Sequence, residues 1–144
     1  MRRVRGLDKQ RRQALRRLLG ELEQDIMLVL WDRRDASVRD VLELLNSRRE
    51  PERQLAYTTV MTVMSRLTEK GVLERRLVGK AHTYSAMQTP EAFVAKASDE
   101  LVRQLVADFG DAAIASFVSI LQRVPPERLA RLRAQANQRA RSRD

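Results

Sequence analysis

The alternation of apolar and polar positions divides the chain into helices and one hairpin. Residues 18–31 repeat apolar side chains at i, i+3, i+4 and i+7, which predicts an amphipathic helix. A second helix is expected after Ser37, an N-cap candidate with Asp40 three residues on. A third is expected over 57–70 and ends at Gly71, because glycine adopts a positive φ at little cost. The three apolar stripes are Leu19, Leu22, Ile26, Val29 and Leu30; Val38, Val41, Leu42 and Leu45; and Val60, Val63, Met64 and Leu67.

Two short strands follow the third helix. The stretches VLERRLV and AHTYSAM are typical of strands joined across the turn Gly79–Lys80. Three short helices and a hairpin in this order predict a winged helix-turn-helix over residues 18–88. The fold class is therefore mainly α with a small β-hairpin wing. Residues 1–17 are expected to form a separate basic arm.

A helical segment is expected to follow the wing over residues 89–134, with a basic tail over 135–144. Thr89–Pro90 starts its first helix, and Gly110–Asp111 and Pro125–Pro126 break the chain again. The stretch AAIASFVSIL is too apolar to lie bare on a small monomer, which predicts dimerisation through this segment. Folding of these helices back onto their own winged domain is the alternative. The predicted dimerisation residues are Phe93, Leu101, Leu105, Phe109, Ile114, Phe117, Val118 and Leu121.

Composition limits the function classes. With 144 residues, the chain is one compact domain or a small domain with an assembly segment. It has no cysteine, and hence no disulfide, thiolate metal site or cysteine nucleophile. No apolar run approaches the roughly 18 residues of a membrane span, and the basic N-terminus lacks the apolar region of a signal peptide. A cytoplasmic protein with no membrane partner and no cofactor is expected.

Positive charge is concentrated near the two ends of the chain. The formal net charge is +9, and residues 1–18 carry eight Arg or Lys and one Asp. Residues 125–144 carry six Arg and two acids. Positive zones on an otherwise balanced domain predict a polyanionic partner, with solvated tails as the alternative.

The third predicted helix carries three threonines near its start. Threonine is a mediocre helix former, and a recognition helix in the DNA major groove gives a reason for this enrichment. Its hydroxyl can bond to bases and its methyl can meet the thymine methyl, while the first amides suit a phosphate. Simple capping by Thr58 is the alternative. The predicted DNA-binding residues are Tyr57, Thr58, Thr59, Thr62 and Arg66 on the helix, and Arg75, Arg76 and Lys80 on the wing.

The stretches LGELEQDIMLVLW, TTVMTVMSRLTEKGVLERR and GKAHTYSA resemble the penicillinase-repressor family of winged-helix transcriptional regulators, the BlaI, MecI and CopY group. The resemblance extends over about residues 18–123. It implies a homodimer that binds double-stranded, dyad-symmetric operator DNA, blocks transcription and interlocks through its C-terminal helices. It also implies base-reading positions at Thr58, Thr59 and Thr62, with Arg66 further along the helix.

Two features differ from the family pattern. Copper-responsive members carry a cysteine-rich tail, so copper sensing by that route is excluded in this cysteine-free chain. Penicillinase repressors are cleaved at an Asn-Phe bond, and the matching position here is Ser119–Ile120. The sequence therefore identifies neither an inducer nor a protease as a partner.

Other function classes are less consistent with the pattern. The single histidine, His82, lies in the second wing strand without a catalytic partner, and no metal-ligand spacing occurs, so no enzyme is expected. A protein-interaction winged module would need an apolar, weakly charged helix surface. Nucleic-acid coating by the basic ends would ignore sequence and depend on salt. The predicted function is a sequence-specific homodimeric repressor, with these two binding roles as alternatives.

Overall fold

The computed structural model describes residues 7–142 and divides the chain into two compact units, with the boundary between Ser98 and Asp99. The described residues are mainly helical and include one two-stranded antiparallel hairpin, which confirms the predicted fold class. The helices are α1 Lys9–Leu18, α2 Glu21–Asp32, α3 Val38–Asn46, α4 Tyr57–Glu69, α5 Pro90–Phe109, α6 Asp111–Leu121 and α7 Pro126–Arg141, with a 3-10 turn at Pro51–Arg53. The strands are β1 Leu73–Val78 and β2 Ala81–Ala86.

The core of the first unit contains the apolar stripes that the sequence predicts. Ile26 of α2, Val41 of α3 and Val60 of α4 have no exposed surface and belong to one buried cluster. Full burial of side chains of this size stabilises a fold by about 1.5–3 kcal/mol each. These three helices are therefore held together mainly by the hydrophobic effect, with their polar faces outward.

Helix α1 belongs to this core, which differs from the predicted basic arm over residues 1–17. Leu15 has no exposed surface and Leu19 is 9% exposed, so both lie in the buried cluster. Asp8 caps the helix by accepting from the Arg11 amide at 2.8 Å. Two leucines four residues apart are too weak a periodic signal to reveal a short helix among arginines. The part of the predicted arm before residue 7 lies outside the described residues.

The break between α1 and α2 shortens the helix that the sequence predicts over 18–31. Gly20 is the N-cap of α2, and its amide donates to Glu23 Oε1 at 3.0 Å. A carboxylate at this position satisfies a helix-start donor and favours the positive end of the helix dipole. Helix α2 consequently begins at Glu21.

Trp31 and Phe93 close one side of the first unit. The Trp31 ring packs against the buried cluster, and its Nε1 donates to the Gln88 carbonyl oxygen at 2.8 Å. The Phe93 ring lies 5.8 Å from the Trp31 ring at 57°. Such tilted aromatic pairs are favourable. Phe93, predicted as a dimerisation residue, therefore makes its observed contacts within its own winged-helix unit.

An isolated β-bridge, which the sequence analysis did not predict, joins the segment before α3 to the hairpin. Ala36 and Tyr84 exchange two backbone hydrogen bonds, with N–O distances of 3.0 and 2.9 Å, so the segment before α3 pairs with β2. Both residues are buried. A single bridging residue has no alternating pattern, which explains why periodicity alone could not predict it. The bridge anchors the hairpin to the helical part of the unit.

The second unit leaves many apolar side chains exposed. Ala113 of α6 is buried and Phe117 is partly buried, whereas Ile114 and Val118 are 47% and 48% exposed. Helix α7 continues to Arg141, beyond the predicted limit at residue 134, because alanine, glutamine and arginine are strong helix formers. The large exposed hydrophobic residues of this unit are Leu101, Val102, Leu105, Phe109, Ile114, Val118, Ile120, Leu121 and Leu132.

The start of α3 is a capping box, as the sequence predicts. Ser37 Oγ accepts from the Asp40 amide at 3.1 Å, and the Ser37 amide donates to Asp40 Oδ2 at 3.0 Å. The pKa of Asp40 lies below its ordinary value of 3.8, mainly because the Ser37 backbone and then the Ser37 side chain hydrogen-bond to its carboxylate. Partial burial acts in the opposite direction and raises the pKa, and the nearby charge of Arg33 lowers it further.

We expect the substitution Asp40→Asn to flatten the acid limb of the stability profile. A lowered folded-state pKa contributes stability above the unfolded value of 3.8, and this contribution is lost as the pH falls through the folded pKa. Urea unfolding between about pH 2 and 6 measures this difference. Glu43→Gln on the same helix removes one charge but no capping bond and should retain the wild-type slope. Parallel acid limbs for wild type and Asp40→Asn would contradict this role of Asp40.

Candidate nucleic-acid interface

Helix α4 has one buried and one exposed face. Val60, Met64 and Leu67 have no exposed surface and anchor the helix in the core. Because successive helical residues are about 100° apart, the side chains across the axis from these three face solvent. The exposed residues include all five predicted DNA-binding residues of the helix, one methionine and one acid: Tyr57, Thr58, Thr59, Met61, Thr62, Arg66 and Glu69.

No side chain among the described residues caps the start of α4. Its N-cap is Ala56, and Tyr57 is the first helical residue. Thr58 lies one position further in and does not cap, so the structure does not support the alternative role considered for it. Within residues 7–142, the amides of Tyr57 and Thr58 have no acceptor. Such amides, at the positive end of the helix dipole, suit an anionic oxygen.

Thr62 directs its hydroxyl proton toward its own helix. Its Oγ1 donates to the Thr58 carbonyl oxygen at 2.7 Å. This back-bonding is common for threonine inside helices. The hydroxyl proton is thus engaged, and the groups of Thr62 that remain for an external partner are its methyl and the oxygen lone pairs.

Asn46 orients the chain that enters α4, a role that the sequence analysis did not identify. Its Nδ2 donates to the Leu55 carbonyl oxygen at 3.1 Å, and its Oδ1 accepts from the Leu55 amide at 2.7 Å. One side-chain amide therefore satisfies both backbone groups of a residue located two positions before α4. The only sequence signal is an asparagine at the end of a helix, which alone indicates no particular partner.

The end of α4 leads directly into the hairpin. Gly71 has a φ of 78°. The Val72 amide donates to the Leu67 carbonyl oxygen at 2.9 Å, and the Gly71 amide donates to the Thr68 carbonyl oxygen at 3.0 Å. This pair of bonds is a Schellman motif, in agreement with the predicted terminal glycine. Lys70 also pairs with Glu23 of α2 at 3.6 Å. Both contacts fix the direction in which the wing leaves the helix.

The wing separates two arginines that the sequence places together. Arg75 lies opposite Tyr84 and Arg76 opposite Thr83 in the antiparallel register. Because strand side chains alternate between faces, Arg75 shares the face of the buried Tyr84, and Arg76 lies on the other face. Gly79, with a φ of 65°, and Lys80 form the two-residue turn. The two arginines therefore cannot contact one flat surface in the same way.

The predicted DNA-binding cations are exposed and electrostatically available. Arg66, Arg75, Arg76 and Lys80 form no ion pair with any residue between positions 7 and 142. Lys70, in contrast, is held by Glu23. Exposed, unpaired cations keep their full charge for an external anion such as a phosphate.

Two acids of α2, Glu23 and Asp25, form structural contacts. Glu23 caps its own helix and pairs with Lys70, and Asp25 pairs with Arg49 at 3.0 Å. His82 is exposed in β2, opposite Leu77. In the part of the chain that the structure describes, no group of three His, Asp or Glu could hold a metal ion. Over the same residues, no helix has both the length and the apolar character needed to span a bilayer.

Comparison with known proteins identifies the family. The penicillinase repressor family model matches residues 19–138, and the chain belongs to this family. It is similar to the transcriptional regulator BlaI of Mycobacterium tuberculosis, matched in two strains with 40% identity over 91 residues. The match spans 62% of this chain and 57% of each relative, so it covers little more than half their length. The family is one of regulators, which confirms the expectation that the chain is not an enzyme.

Solved structures with a similar chain path include a MarR family protein and a MarR mutant. A MarR family protein from Bacillus stearothermophilus has 16% identity and a TM-score of 0.46, over 79% of each chain. A mutant of MarR from E. coli has 14% identity and a TM-score of 0.46, over 83% of this chain and 88% of that one. Similarity at this level assigns no function.

We expect Asn46→Ala to destabilise the first unit by about 1–3 kcal/mol, because it leaves the amide and carbonyl of Leu55 without their partner. The free energy of unfolding from urea titration measures the loss. Gln54→Ala, a change at an exposed neighbouring side chain with no hydrogen bond in the described residues, is the matched control. Equal stabilities of the two variants would show that the Asn46 bonds contribute nothing.

Proposed function

We propose that the protein is a sequence-specific transcriptional repressor that binds operator DNA as a homodimer. The observation that carries this proposal is the exposed face of α4, where three threonines lie on the first two turns of a helix that is anchored by its opposite face. Membership in the penicillinase repressor family supports the same role. The N-terminal part of such a helix is the part that reads base edges in the major groove.

The neighbouring groups suit the sugar-phosphate backbone. The free amides at the start of α4 can bind one phosphate, and Arg66, one turn beyond Thr62, can reach another. On the wing, Lys80 and Arg76 have no ion-pair partner among residues 7–142, and the Ala36–Tyr84 bridge holds their hairpin in place. These contacts would position the protein on the duplex, while the threonines would discriminate between sequences.

The alternative binding roles fit these observations less well. A winged domain used only for protein contact would expose an apolar α4 surface, whereas this one is hydroxyl-rich and flanked by cations. Coating of nucleic acid by basic ends would assign no task to α4. Part of the predicted basic arm is also not a free tail, because α1 packs onto the core through the buried Leu15.

The exposed side chains of the second unit support self-association. Phe109 is 64% exposed and Leu101 is 58% exposed, and several neighbours on α6 are about half exposed. Exposed apolar side chains in this number are typical of an interface, and a two-fold dimer buries the same residues on both copies. Two copies of α4 would then enter successive major grooves about 34 Å apart and exclude polymerase from the operator.

Selection from randomised duplex DNA at about 150 mM salt, followed by sequencing of the bound pool, tests the function. We expect an inverted repeat with half-sites about one helical turn apart. Thr62→Ala should weaken binding to that operator by about 1–3 kcal/mol and relax its base preference. Thr68→Ala, on the same helix but bonded to the Met64 carbonyl oxygen, is the control and should keep the preference. A pool with no enriched sequence would refute sequence-specific binding.

A charge in the proposed dimer surface should separate the copies without unfolding the winged-helix unit. We expect Leu121→Glu to lower the mass in solution from twice 16.6 kDa to the monomer value, measured by light scattering, and to abolish operator binding. Met87→Glu, at a side chain 53% exposed in the first unit, should remain dimeric. A dimeric Leu121→Glu protein would exclude α6 from the interface.

A further inference from the structure

The exposed start of α4 lacks the side chains that read a purine through two hydrogen bonds. Its first two turns present Tyr57, Thr58, Thr59, Met61 and Thr62, and the first arginine comes one turn later. Guanine is typically read by Arg or Lys and adenine by Asn or Gln, each through two hydrogen bonds. None of these four residue types occurs on the part of the helix that would lie deepest in the groove.

Beside its hydroxyls, this surface presents several methyl groups. The Thr62 hydroxyl proton is engaged with the Thr58 carbonyl oxygen at 2.7 Å, which leaves the methyl and the oxygen lone pairs of Thr62 for contact. Met61 is 39% exposed. Among the described residues, Val63 packs against the buried cluster and Met61 does not. Met61 lies three residues after Thr58 and directly before Thr62, and all three side chains are exposed.

We propose that Met61 reads the thymine 5-methyl group, together with the methyls of Thr58 and Thr62, and that thymine positions dominate the specificity of each half-site. Thymine is the one base whose major-groove edge carries an apolar group, and apolar side chains contact it directly. The flexible, polarisable thioether of methionine adapts to such a surface. This inference rests on the proposed DNA-binding function and adds the class of base that α4 recognises.

Replacement of single thymines by deoxyuridine tests the inference, because it removes only the methyl group. The DNA is the duplex recovered by selection, and the protein is the full chain. We expect at least one symmetry-related pair of replacements to weaken binding about fourfold per methyl, or about fifteenfold for the pair, since burial of one such group contributes about 0.8 kcal/mol. Replacements outside the half-sites should have no effect.

The substitution Met61→Ala assigns the contact to its side chain. At one of the sensitive positions, replacement of thymine by deoxyuridine should leave the affinity of Met61→Ala nearly unchanged. Met61→Leu should retain most of the loss of affinity seen with the wild type. Coupling between a side chain and a single methyl is the quantity that such a cycle isolates. Met87→Ala, a change at an exposed methionine outside α4, should keep every penalty of the wild type.

The outcomes separate this inference from the function on which it rests. An enriched operator whose affinity is insensitive to deoxyuridine would overturn methyl reading and leave sequence-specific binding intact. Equal penalties in wild type and Met61→Ala at every position would overturn the role of Met61. Failure to enrich any sequence would overturn both the inference and the proposed function.

Discussion

The burial of one face of α4 is the constraint on which the interface depends. Val60, Met64 and Leu67 are fully buried, and together they fix the rotation of the helix about its axis. A rotation by one residue, about 100°, would move threonines into an apolar core, where an unsatisfied hydroxyl is costly. The same hydrophobic contacts that stabilise the first unit therefore decide which side chains remain available to a nucleic acid.

The two ends of α4 are held in different ways. Its C-terminal end has a Schellman motif and an ion pair, whereas its N-terminal end has no side-chain cap. A missing cap commonly costs a helix about 1 kcal/mol. The Asn46 bonds to Leu55 offset part of that loss by fixing the preceding backbone while leaving the first amides open. Stability and an accessible helix start are thus reconciled by a residue outside the helix.

The two compact units differ in how complete their cores are. The first unit buries fifteen apolar side chains in one cluster, whereas the second has Ala113 as its buried hydrophobic residue in the described part of the chain. Segments with so little burial are normally stabilised by association. This difference is consistent with a protomer that recognises its ligand through one unit and its own copy through the other.

Local sequence determined the elements whose signals lie within a few residues. The stripes of α2, α3 and α4, the Ser37 cap, the glycine at the end of α4 and the two-residue hairpin turn all follow from side-chain period and turn chemistry. Tertiary structure alone decided the burial of Leu15, the Ala36–Tyr84 bridge, the Asn46 bonds and the opposite faces of Arg75 and Arg76. These depend on which segments meet in space, and periodicity along the chain carries no information about a partner many residues away.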